Sequence, residues 1–399
     1  MLAVSEARAR ILGGLSPTPI EERGLADAHG LVLAAPVVAD RDQPPAAMSA
    51  MDGYAVRAAD LAQLPARLEV IGAAPAGQVF AGALAAGQAL RIFTGAAIPA
   101  SADTVVIQEN TAPDGDRYVL VRQAPAPGAN IRRQGNDFAN GQSLLPPGRR
   151  LDARAIGLAA AGGAARVRVH RRPRIAFLST GDELVASGHA VGAGQIVNSN
   201  GPMMQAFIAA AGGVPIDLGI AGDTAEELLQ AAARFSDADL VLTIGGASVG
   251  EHDLVQRVLA PAGLAVDFWK IAMRPGKPLI HGHFKGVPFL GLPGNPVSAF
   301  VCAKLFLEPA IAVLGGGLWP GHDWHRARLA NALPENGPRE HYLRGRLRRA
   351  SAQGEWQVDA ASVQDSAMLS ILADSNALIM RPPNAAAANP GDWVAVLPL

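Results

Sequence analysis

Arg174-Ile-Ala-Phe-Leu-Ser-Thr-Gly-Asp-Glu-Leu184 is an apolar run that ends in a polar, glycine-containing turn. Three further turns of this kind follow apolar runs, namely Gly245-Gly-Ala-Ser-Val-Gly250, Met273-Arg-Pro-Gly-Lys-Pro278 and Gly291-Leu-Pro-Gly-Asn-Pro296. An open α/β sheet binds its ligands at the carboxyl ends of its parallel strands, where such turns lie. Because the turns carry acids and bases, we expect them to form a pocket for an anionic, phosphate-bearing molecule.

Strand-like and helix-like segments alternate through this part of the chain. The predicted strands are 175–178, 216–220, 240–244, 266–271, 279–281 and 288–290. The predicted helices are 201–211, 224–235, 253–259 and 297–314. This alternation is typical of a parallel, doubly wound sheet with right-handed crossovers. The predicted fold class is therefore α/β.

The flanking parts of the chain have a different pattern. Short strand-like runs with frequent Gly and Pro between residues 68 and 122 indicate a small β-rich domain. After Trp319-Pro-Gly321, strand-like runs continue to Leu399 and predict a small β-barrel or sandwich. Helices are predicted at 5–15 and 151–161, and Pro173 marks a domain boundary. The protein is therefore expected to have several domains.

Composition limits the class of function. The chain has 399 residues, 49% of them hydrophobic and 17% charged, as expected of a globular multi-domain protein. A net charge of -1 argues against a nucleic-acid partner. Met1–Leu15 lacks the apolar core of a signal peptide, and no run of about 18 uncharged apolar residues predicts a membrane span. We therefore expect a cytoplasmic protein with no membrane partner. The single cysteine, Cys302, is expected to be buried.

The loop 245–250 leaves two interpretations open. Backbone N–H groups at its glycines and the hydroxyl of Ser248 could hold a phosphate. The loop has neither the P-loop sequence nor the G-x-G-x-x-G spacing, so a plain tight turn is the alternative. His252 beside Asp253 is the best candidate for a general base, although an incidental surface histidine would look the same.

Two other turns could also bind ligands. Asp182 and Glu183 could hold Mg²⁺ together with phosphate oxygens, and the alternative is that they are acids placed favourably at a helix N-terminus. Pro296 at the first position of a helix leaves free N–H groups for an anion. Capping of that helix by Asn295 is the alternative.

Three cations lie within eight residues of a near-neutral chain: Lys270, Arg274 and Lys277. A lysine acts as a point charge, and an arginine presents a bidentate fork to an oxyanion. We predict an anion site here, and a solvated basic loop is the alternative.

Six motifs, taken in order, resemble one known family. They are Ser49-Ala-Met-Asp-Gly-Tyr-Ala-Val56, Thr94-Gly-Ala96, 174–184, 245–250, Arg274-Pro-Gly-Lys-Pro278 and Pro293-Gly-Asn-Pro-Val-Ser-Ala299. Together they resemble the molybdopterin molybdenumtransferases, which include bacterial MoeA and the gephyrin E domain. The resemblance implies four domains: an elongated linker domain (1–45 and 146–172), a β-rich domain (46–145), a MogA-like α/β molybdopterin-binding domain (173–318) and a C-terminal β-barrel (319–399).

The resemblance also implies an activity and its requirements. The family inserts molybdate into adenylylated molybdopterin with Mg²⁺, which releases AMP and the molybdenum cofactor. It implies a homodimer whose active site lies at the subunit interface, with Asp52 and Thr94 supplied by the partner subunit. Transient contacts with a molybdopterin adenylyltransferase and with molybdoenzyme chaperones are further expected partners.

Residue roles are transferred motif by motif. The resemblance implies catalytic roles for Asp52, Thr94, Asp137, Glu183, Asp223, Asp253, Lys270, Arg274 and Lys277. It implies substrate binding by Gly245, Gly246, Ser248, Gly250, Pro278, Pro293, Asn295, Pro296, Ser298, Arg344 and Ser366. Asp182, Glu183 and Asp253 are the implied metal ligands. Lys277, Pro278 and Ser298 are expected to form the molybdate corner, with Arg344 and Ser366 as further contacts.

Some positions depart from the family pattern. Arg274 replaces a frequent Lys, Ile244 a frequent Ser, and Asn136 a common acid, and the sequence around Ser366 matches only in part. Two alternative functions remain at this point. An adenylyltransferase would share the α/β domain without needing the others, and a gephyrin-like scaffold would not need the acids, of which Asp52 and Glu183 are present.

Overall fold

The computed structural model describes residues 1–246, 254–349 and 354–399. The chain forms two compact units. The first comprises Met1–Glu21, Gly30–Ala34 and Val169–Leu399, and the second comprises Glu22–His29 and Ala35–Arg168. The finer division into four domains stays a prediction.

A six-stranded sheet forms the centre of the α/β part of the first unit. Its strands, in spatial order, are Val214–Ala221, Arg174–Thr180, Leu240–Ile244, Val287–Leu292, Pro278–Phe284 and Leu264–Lys270. The first four are parallel, and the last two run antiparallel to their neighbours. The α/β fold class is confirmed, with one correction: the sheet is mixed.

Short connections explain the antiparallel edge. Lys285 and Gly286 join two strands, with φ angles of 49° and 88°. Two successive positive φ angles are typical of a type I′ hairpin turn, which connects antiparallel strands. Only 271–277 lie between Leu264–Lys270 and Pro278–Phe284, too few residues for the crossover that parallel strands require. The turn 273–278 therefore lies at a hairpin end.

Helices cover both faces of this sheet. They are Val4–Gly13, Asn200–Ala210, Ala225–Ala232, Leu254–Ala262 and Pro296–Leu314. The strand Arg174–Thr180 shows why both faces must be covered, because Ile175 and Phe177 pack into one core and Ala176 and Leu178 into the other. Strands buried on both faces have the near-continuous apolar sequence seen here.

The helix Pro296–Leu314 is long and apolar enough to span a membrane, yet 72% of it is buried inside the protein. Such burial is typical of a core helix in a soluble protein. Its middle, Ala303–Leu307, is a π-helix. Pro309 lacks an N–H group, and its ring displaces the carbonyl one turn earlier, which explains the wider turn there.

Five strands near the C-terminus close into a barrel, which confirms the predicted β-barrel. They are His325–Leu329, Glu340–Arg349, Trp356–Ala360, Ala377–Arg381 and Trp393–Pro398. Closure follows because Glu340–Arg349 pairs with both Trp356–Ala360 and Ala377–Arg381. The short strand Met273–Arg274 adds to the barrel, parallel to the start of Glu340–Arg349. A helix, Leu369–Asp374, lies between two of the barrel strands.

The second unit is β-rich, as predicted. Its six-stranded sheet has the order Thr104–Ile107, Gly53–Val56, Gln88–Ile92, Ala66–Ala74, Tyr118–Val121, Thr111–Asp114. Gly53 lies on a central strand, where a Cβ atom would come within 2.0 Å of the carbonyl oxygen of Val106. The helix Ala153–Ala161 begins at Asp152, whose carboxylate accepts from the N–H of Ala155.

Several short strands pair outside the two six-stranded sheets and the barrel. Val37–Val38 pairs with Ser143–Leu145, Met48–Ser49 with Ile131–Arg132, and Leu184–Val185 with Ile196–Val197. Ile20–Gly24, Arg166–His170 and Val32–Leu33 form a three-stranded sheet.

Candidate active site

A cavity of about 820 Å³ lies at the carboxyl ends of the parallel strands in the first unit. We call it the large cavity, and it brings together eight of the predicted site residues. They are Glu183, Asp223, Gly245, Gly246, Pro278, Pro293, Asn295 and Pro296. Turns that are distant in sequence meet here because parallel strands end at the same edge of the sheet.

Glycine is required where the strand Leu240–Ile244 ends. Gly245 and Gly246 have φ angles of 98° and 64°, which favour glycine. A Cβ atom on Gly245 would lie 2.5 Å from the carbonyl oxygen of Thr180. The two backbones can therefore approach closely, and the cavity wall here consists of main-chain groups.

Sequence reasoning missed several polar residues of the large cavity. Asn198 connects two segments, because its Nδ2 donates to the Ser179 hydroxyl at 2.9 Å and its Oδ1 accepts from the N–H of Gly201 at 3.1 Å. Asn200 donates to the carbonyl of Gly294 at 2.7 Å. Within the described part of the chain, Oδ1 of Asn200 and Oγ1 of Thr180 are buried without a hydrogen-bond partner. The run Asn198-Ser-Asn200, which is typical of a helix start, was the available signal.

Arg257, on the helix Leu254–Ala262, also lines the large cavity. It is the one cationic side chain among the described residues that line this cavity. Apolar residues spaced three and four apart on that helix, such as Val255, Val258 and Leu259, predict a surface helix and give no indication of which cation faces a ligand.

The carboxylates around the large cavity differ in whether they accept hydrogen bonds from the backbone. Asp182 accepts from the backbone N–H of Asp223 at 2.8 Å, and Glu227 accepts from that of Gly222 at 2.6 Å. These two acids hold the loop that carries Asp223. Glu183 and Asp223 line the cavity itself. Among residues 1–246, 254–349 and 354–399, no group of three or more His, Cys, Asp or Glu could hold a metal ion.

A second cavity, of about 580 Å³, adjoins the large cavity at Pro278, which lines both. We call it the cationic cavity. Its polar lining residues are Arg274, Lys277, Ser298, Arg339, Gln364, Asp365 and Ser366. The predicted molybdate corner of Lys277, Pro278 and Ser298 is thus brought together, and Ser298 is only 5% exposed.

The start of the helix Pro296–Cys302 is held by the barrel. Nδ2 of Asn295 donates to the hydroxyl of Ser366 at 2.9 Å, and the N–H of Val297 donates to the carbonyl of Ser366 at 3.1 Å. Asn295 makes no side-chain cap on its own helix. Asn295 therefore occupies the N-cap position, but the alternative that its side chain caps this helix is wrong.

His341, which the sequence did not single out, reports the charge of this region. It lies beside Arg274 in the pairing between Met273–Arg274 and the barrel strand. Burial and, to a smaller extent, the positive charges of Arg274, Arg339, Arg381 and Arg344 together lower the pKa of His341 to about 4. The histidine therefore stays neutral down to a pH well below 6.5.

Two predicted cations lie elsewhere. Lys270 lines neither described cavity, and its Nζ lies 3.4 Å from the centroid of the Trp269 ring. Arg344 is 1% exposed, and its guanidinium donates to Gln364 and to backbone carbonyls of the turn that follows Ala361. This placement does not support a direct contact between Arg344 and an oxyanion.

In the second unit, Asp52 and Thr94 lie together as a pair. One carboxylate oxygen of Asp52 accepts from the Thr94 N–H at 2.7 Å and from its hydroxyl at 2.8 Å. The backbone N–H of Thr94, its hydroxyl and the nearby Arg91 lower the pKa of Asp52 below its usual value. Asp52 is therefore an exposed, ionised carboxylate. Asp137 is also exposed, and its backbone N–H donates to the carbonyl of Gln43 at 2.9 Å.

Three predicted site residues, Ser248, Gly250 and Asp253, lie outside the described residues, as does His252. The roles assigned to individual residues stay predictions.

Comparison with known proteins identifies the family. Three family models match: the MoeA N-terminal region (domain I and II) at 2–163, the probable molybdopterin binding domain at 176–313 and the MoeA C-terminal region (domain IV) at 326–399. A molybdopterin molybdenumtransferase of Nostoc sp. is 39% identical, over 93% of this chain and 87% of its own length. One of Haemophilus influenzae is 36% identical, over 100% and 98%.

A solved structure supports the same assignment across the whole chain. The molybdopterin biosynthesis MoeA protein of Pyrococcus horikoshii superimposes with a TM-score of 0.84 at 30% identity, covering 100% of this chain and 99% of that one. With these matches spanning the α/β part, the barrel and the second unit, the chain belongs to the molybdopterin molybdenumtransferase (MoeA) family.

Proposed function

We propose that this protein is a transferase of molybdenum cofactor biosynthesis that inserts molybdenum into molybdopterin. The observation that carries the proposal is the adjacency of the two cavities, which share Pro278. One has the glycine turns and carboxylates suited to a phosphate-bearing substrate, and the other has the cations suited to an oxyanion. Their contact at Pro278 would bring two substrates together.

The cationic cavity is the proposed site of molybdate. Molybdate is a tetrahedral dianion, so its desolvation must be offset by cations and hydrogen-bond donors. Arg274, Lys277 and Arg339 supply positive charge, and Ser298 and Ser366 supply hydroxyl groups. The positive charges of Arg274, Arg339, Arg381 and Arg344 contribute to the lowered pKa of His341, and the same positive potential would attract an anion.

The large cavity is the proposed site of adenylylated molybdopterin. The main-chain groups of Gly245 and Gly246 would approach the substrate phosphates, as glycine turns at strand ends do. The unpartnered oxygens of Thr180 and Asn200 are acceptors for hydroxyl or amino groups of the substrate. Arg257 would balance the charge of a phosphate.

Mg²⁺ fits the residues present, because it is usually held by one or two carboxylates together with substrate phosphates and water. Glu183 and Asp223 are the described carboxylates that line the large cavity and could hold it, while Asp182 is engaged by the N–H of Asp223. When bound, Mg²⁺ supplies charge neutralisation at the phosphoanhydride whose cleavage releases AMP.

The proposed assembly is a homodimer in the cytoplasm. Asp52 and Thr94 are proposed to complete the active site of the partner subunit. An exposed carboxylate held ionised by two donors from Thr94 is suited to such a role, because no described hydrogen bond in its own unit requires its second oxygen. Transient contact with a molybdopterin adenylyltransferase and with molybdoenzyme chaperones would supply the substrate and receive the product.

One assay tests the function. Purified protein is incubated with adenylylated molybdopterin and Mg²⁺, with and without molybdate, and AMP is measured. We expect AMP release that depends on molybdate, together with a product that activates an apo-molybdoenzyme. Absence of molybdate-dependent AMP release would refute the proposal.

The alternatives give different outcomes in the same preparation. An adenylyltransferase would release pyrophosphate from ATP and molybdopterin, whereas we expect none. A non-catalytic scaffold would release neither AMP nor pyrophosphate.

A further inference from the structure

Arg91 lies in the sheet of the second unit, beside the pair formed by Asp52 and Thr94. It belongs to the strand Gln88–Ile92 and is paired with Tyr54 of the neighbouring antiparallel strand. Asp52 directly precedes that neighbouring strand, and Thr94 follows the strand of Arg91 after one residue. Because antiparallel strands bring the start of one beside the end of the other, the acid and the threonine lie together, close to Arg91.

The guanidinium of Arg91 holds the backbone that carries Asp52. Its Nη1 donates to the carbonyl oxygen of Gly53 at 3.3 Å, and its Nη2 donates to Oε1 of Gln108 at 2.8 Å. The backbone N–H of Gln108 in turn donates to the carbonyl oxygen of Asp52 at 3.1 Å. One side chain reaches both acceptors because a guanidinium is a rigid, planar fork.

Two aromatic rings contact the same guanidinium. Cζ of Arg91 lies 5.1 Å from the centroid of the Tyr54 ring and 5.0 Å from that of Phe93, both within the range of a cation–π contact. Phe93 directly precedes Thr94 in the chain. Arg91 therefore contacts the residue that follows Asp52 and the residue that precedes Thr94, so it ties the two halves of the pair to each other.

The contribution of Arg91 lies in the placement of Asp52 more than in its charge state. The N–H and hydroxyl of Thr94 are the main causes of the lowered pKa of Asp52, and the charge of Arg91 is the smallest cause. The carboxylate is therefore ionised at neutral pH with or without Arg91. Its second oxygen, which has no described hydrogen bond, can point correctly only if the backbone of Asp52 is fixed.

We propose that Arg91, together with Gln108, is a positioning residue that holds Asp52 in the geometry needed at the active site of the partner subunit. Arg91 acts through the backbone and not by contact with the substrate. This inference rests on the proposed function and adds two residues to which the family motifs gave no role. A group misplaced by about 1 Å can lower the rate of a reaction about a hundredfold, so such support is worth measuring.

Two substitutions remove this support in different ways. Arg91→Lys keeps the positive charge and removes the fork that reaches two acceptors. Gln108→Met removes one of these acceptors and keeps the backbone N–H that donates to Asp52. Gln108 is exposed, so this second variant is expected to fold even if Arg91→Lys does not.

Arg67→Lys is the matched control. Arg67 is a cation of the same sheet, and its Cζ lies 3.5 Å from the centroid of the Tyr118 ring while its guanidinium pairs with Asp114. Tyr118 and Asp114 lie on the two strands at the other end of the sheet from Asp52. The control therefore loses a comparable set of contacts without touching the pair.

The first readouts are kcat for AMP release and the dissociation constant of molybdate from calorimetry. For Arg91→Lys and Gln108→Met we expect kcat to fall about tenfold, with the dissociation constant unchanged because the cationic cavity belongs to the first unit. Arg67→Lys should match the wild type in both.

Two further readouts separate positioning from a merely structural role. The amide resonance of Thr94, whose N–H donates to Asp52, should shift in Arg91→Lys and Gln108→Met and stay unchanged in Arg67→Lys. A mixed dimer of Arg91→Lys and Glu183→Gln subunits should be more active than either variant alone. One of its two sites then combines an intact large cavity with an intact Asp52 from the other subunit.

Opposite results overturn the inference. They are a wild-type kcat in Arg91→Lys and Gln108→Met, an unchanged Thr94 resonance in both, or a mixed dimer no more active than its parents. Lower thermal stability with unchanged kcat would assign Arg91 a merely structural role. A wild type that releases no AMP, with Thr94 resonances that shift as expected in the two variants, would refute the proposed function alone, because the hold of Arg91 on Asp52 would be shown without the reaction.

Discussion

Gly276 allows the turn 273–278 to lie against the helix Pro296–Cys302, and its substitution by alanine should cost stability for two separable reasons. Its φ angle is 99°, and a Cβ atom there would lie 2.5 Å from Sγ of Cys302 and 3.1 Å from Cε of Met273. Cys302 is fully buried, so its sulfur has little room to move. The backbone conformation costs about 1–2 kcal/mol for a residue with a Cβ atom. Overpacking adds about 1–3 kcal/mol.

Together these contributions predict that Gly276→Ala lowers the free energy of unfolding by about 3 kcal/mol, within a range of about 2–5 kcal/mol. For a unit of this size, a loss of about 3 kcal/mol corresponds to a fall in melting temperature of roughly 6–12 °C. Differential scanning calorimetry measures this fall. Gly286→Ala is the matched control, because Gly286 has a φ angle of 88° and nothing within 4 Å of its Cβ position. It should show the conformational cost alone.

The double variant Gly276→Ala with Cys302→Ala separates the two causes. Removing the sulfur relieves the collision, so the double variant should be more stable than the sum of the single changes by about 1–3 kcal/mol. Gly276→Ala should also lower the affinity for molybdate, because Lys277 and Ser298 line the cavity on either side of this contact. The double variant should recover part of that affinity, as measured by calorimetric titration with molybdate. Strictly additive stability changes, or a Gly276→Ala protein no less stable than Gly286→Ala, would refute the reasoning.

Three further predictions concern charge and packing. Thr94→Val should raise the pKa of Asp52 toward its usual value, as measured by carboxyl NMR. The ionised carboxylate would then stabilise the fold less, and that stabilisation would be lost at a higher pH as the pH falls. An unchanged pKa would contradict this. The pKa of His341 is about 4 in the folded protein and higher in the unfolded chain, so stability should be lost as the pH falls from about 6.5 to 4. Arg339→Ala removes one of the positive charges and should raise the pKa of His341 in an imidazole NMR titration. Gly53→Ala places a Cβ atom 2.0 Å from a neighbouring carbonyl oxygen and should unfold the second unit, seen as rapid proteolysis of that part; a protease-resistant variant would refute it.

The predictable part of the site comes from strand ends. The proximity of the turns 179–184 and 245–246 could be predicted from the sequence, because parallel strands end at one edge of the sheet and glycine and polar residues mark each turn. Gly245 and Glu183 line one cavity for that reason. The prediction that the whole sheet is parallel was wrong because Lys285-Gly286, a two-residue hairpin turn, was not recognised as one.

Contacts between distant segments could not be predicted from local patterns. Asn295 before a proline at a helix start is typical of a cap, and only the folded chain shows that its amide instead meets Ser366, 71 residues later. Arg344 was assigned to the oxyanion site through the resemblance alone, since the local sequence carries no signal for which arginine is buried. Its acceptors, which are Oε1 of Gln364 and the carbonyl oxygens of Val363 and Met368, come together only once the turn 361–368 has formed.

The cationic cavity depends on the barrel, and this bears on the choice between the two enzymatic functions. Arg274 lies on a short strand that pairs with the first residues of Glu340–Arg349, so the barrel fixes the backbone of a cation supplied by the α/β part. The barrel also supplies Arg339 and Ser366 to the cavity and holds the start of the helix Pro296–Cys302. An adenylyltransferase would need only a cavity for the nucleotide and the pterin. Its reaction would not require a second, cationic cavity lined by the barrel. Since the C-terminal domain contributes side chains and backbone support to that second cavity, the architecture favours a reaction that joins an oxyanion to the substrate held next to it.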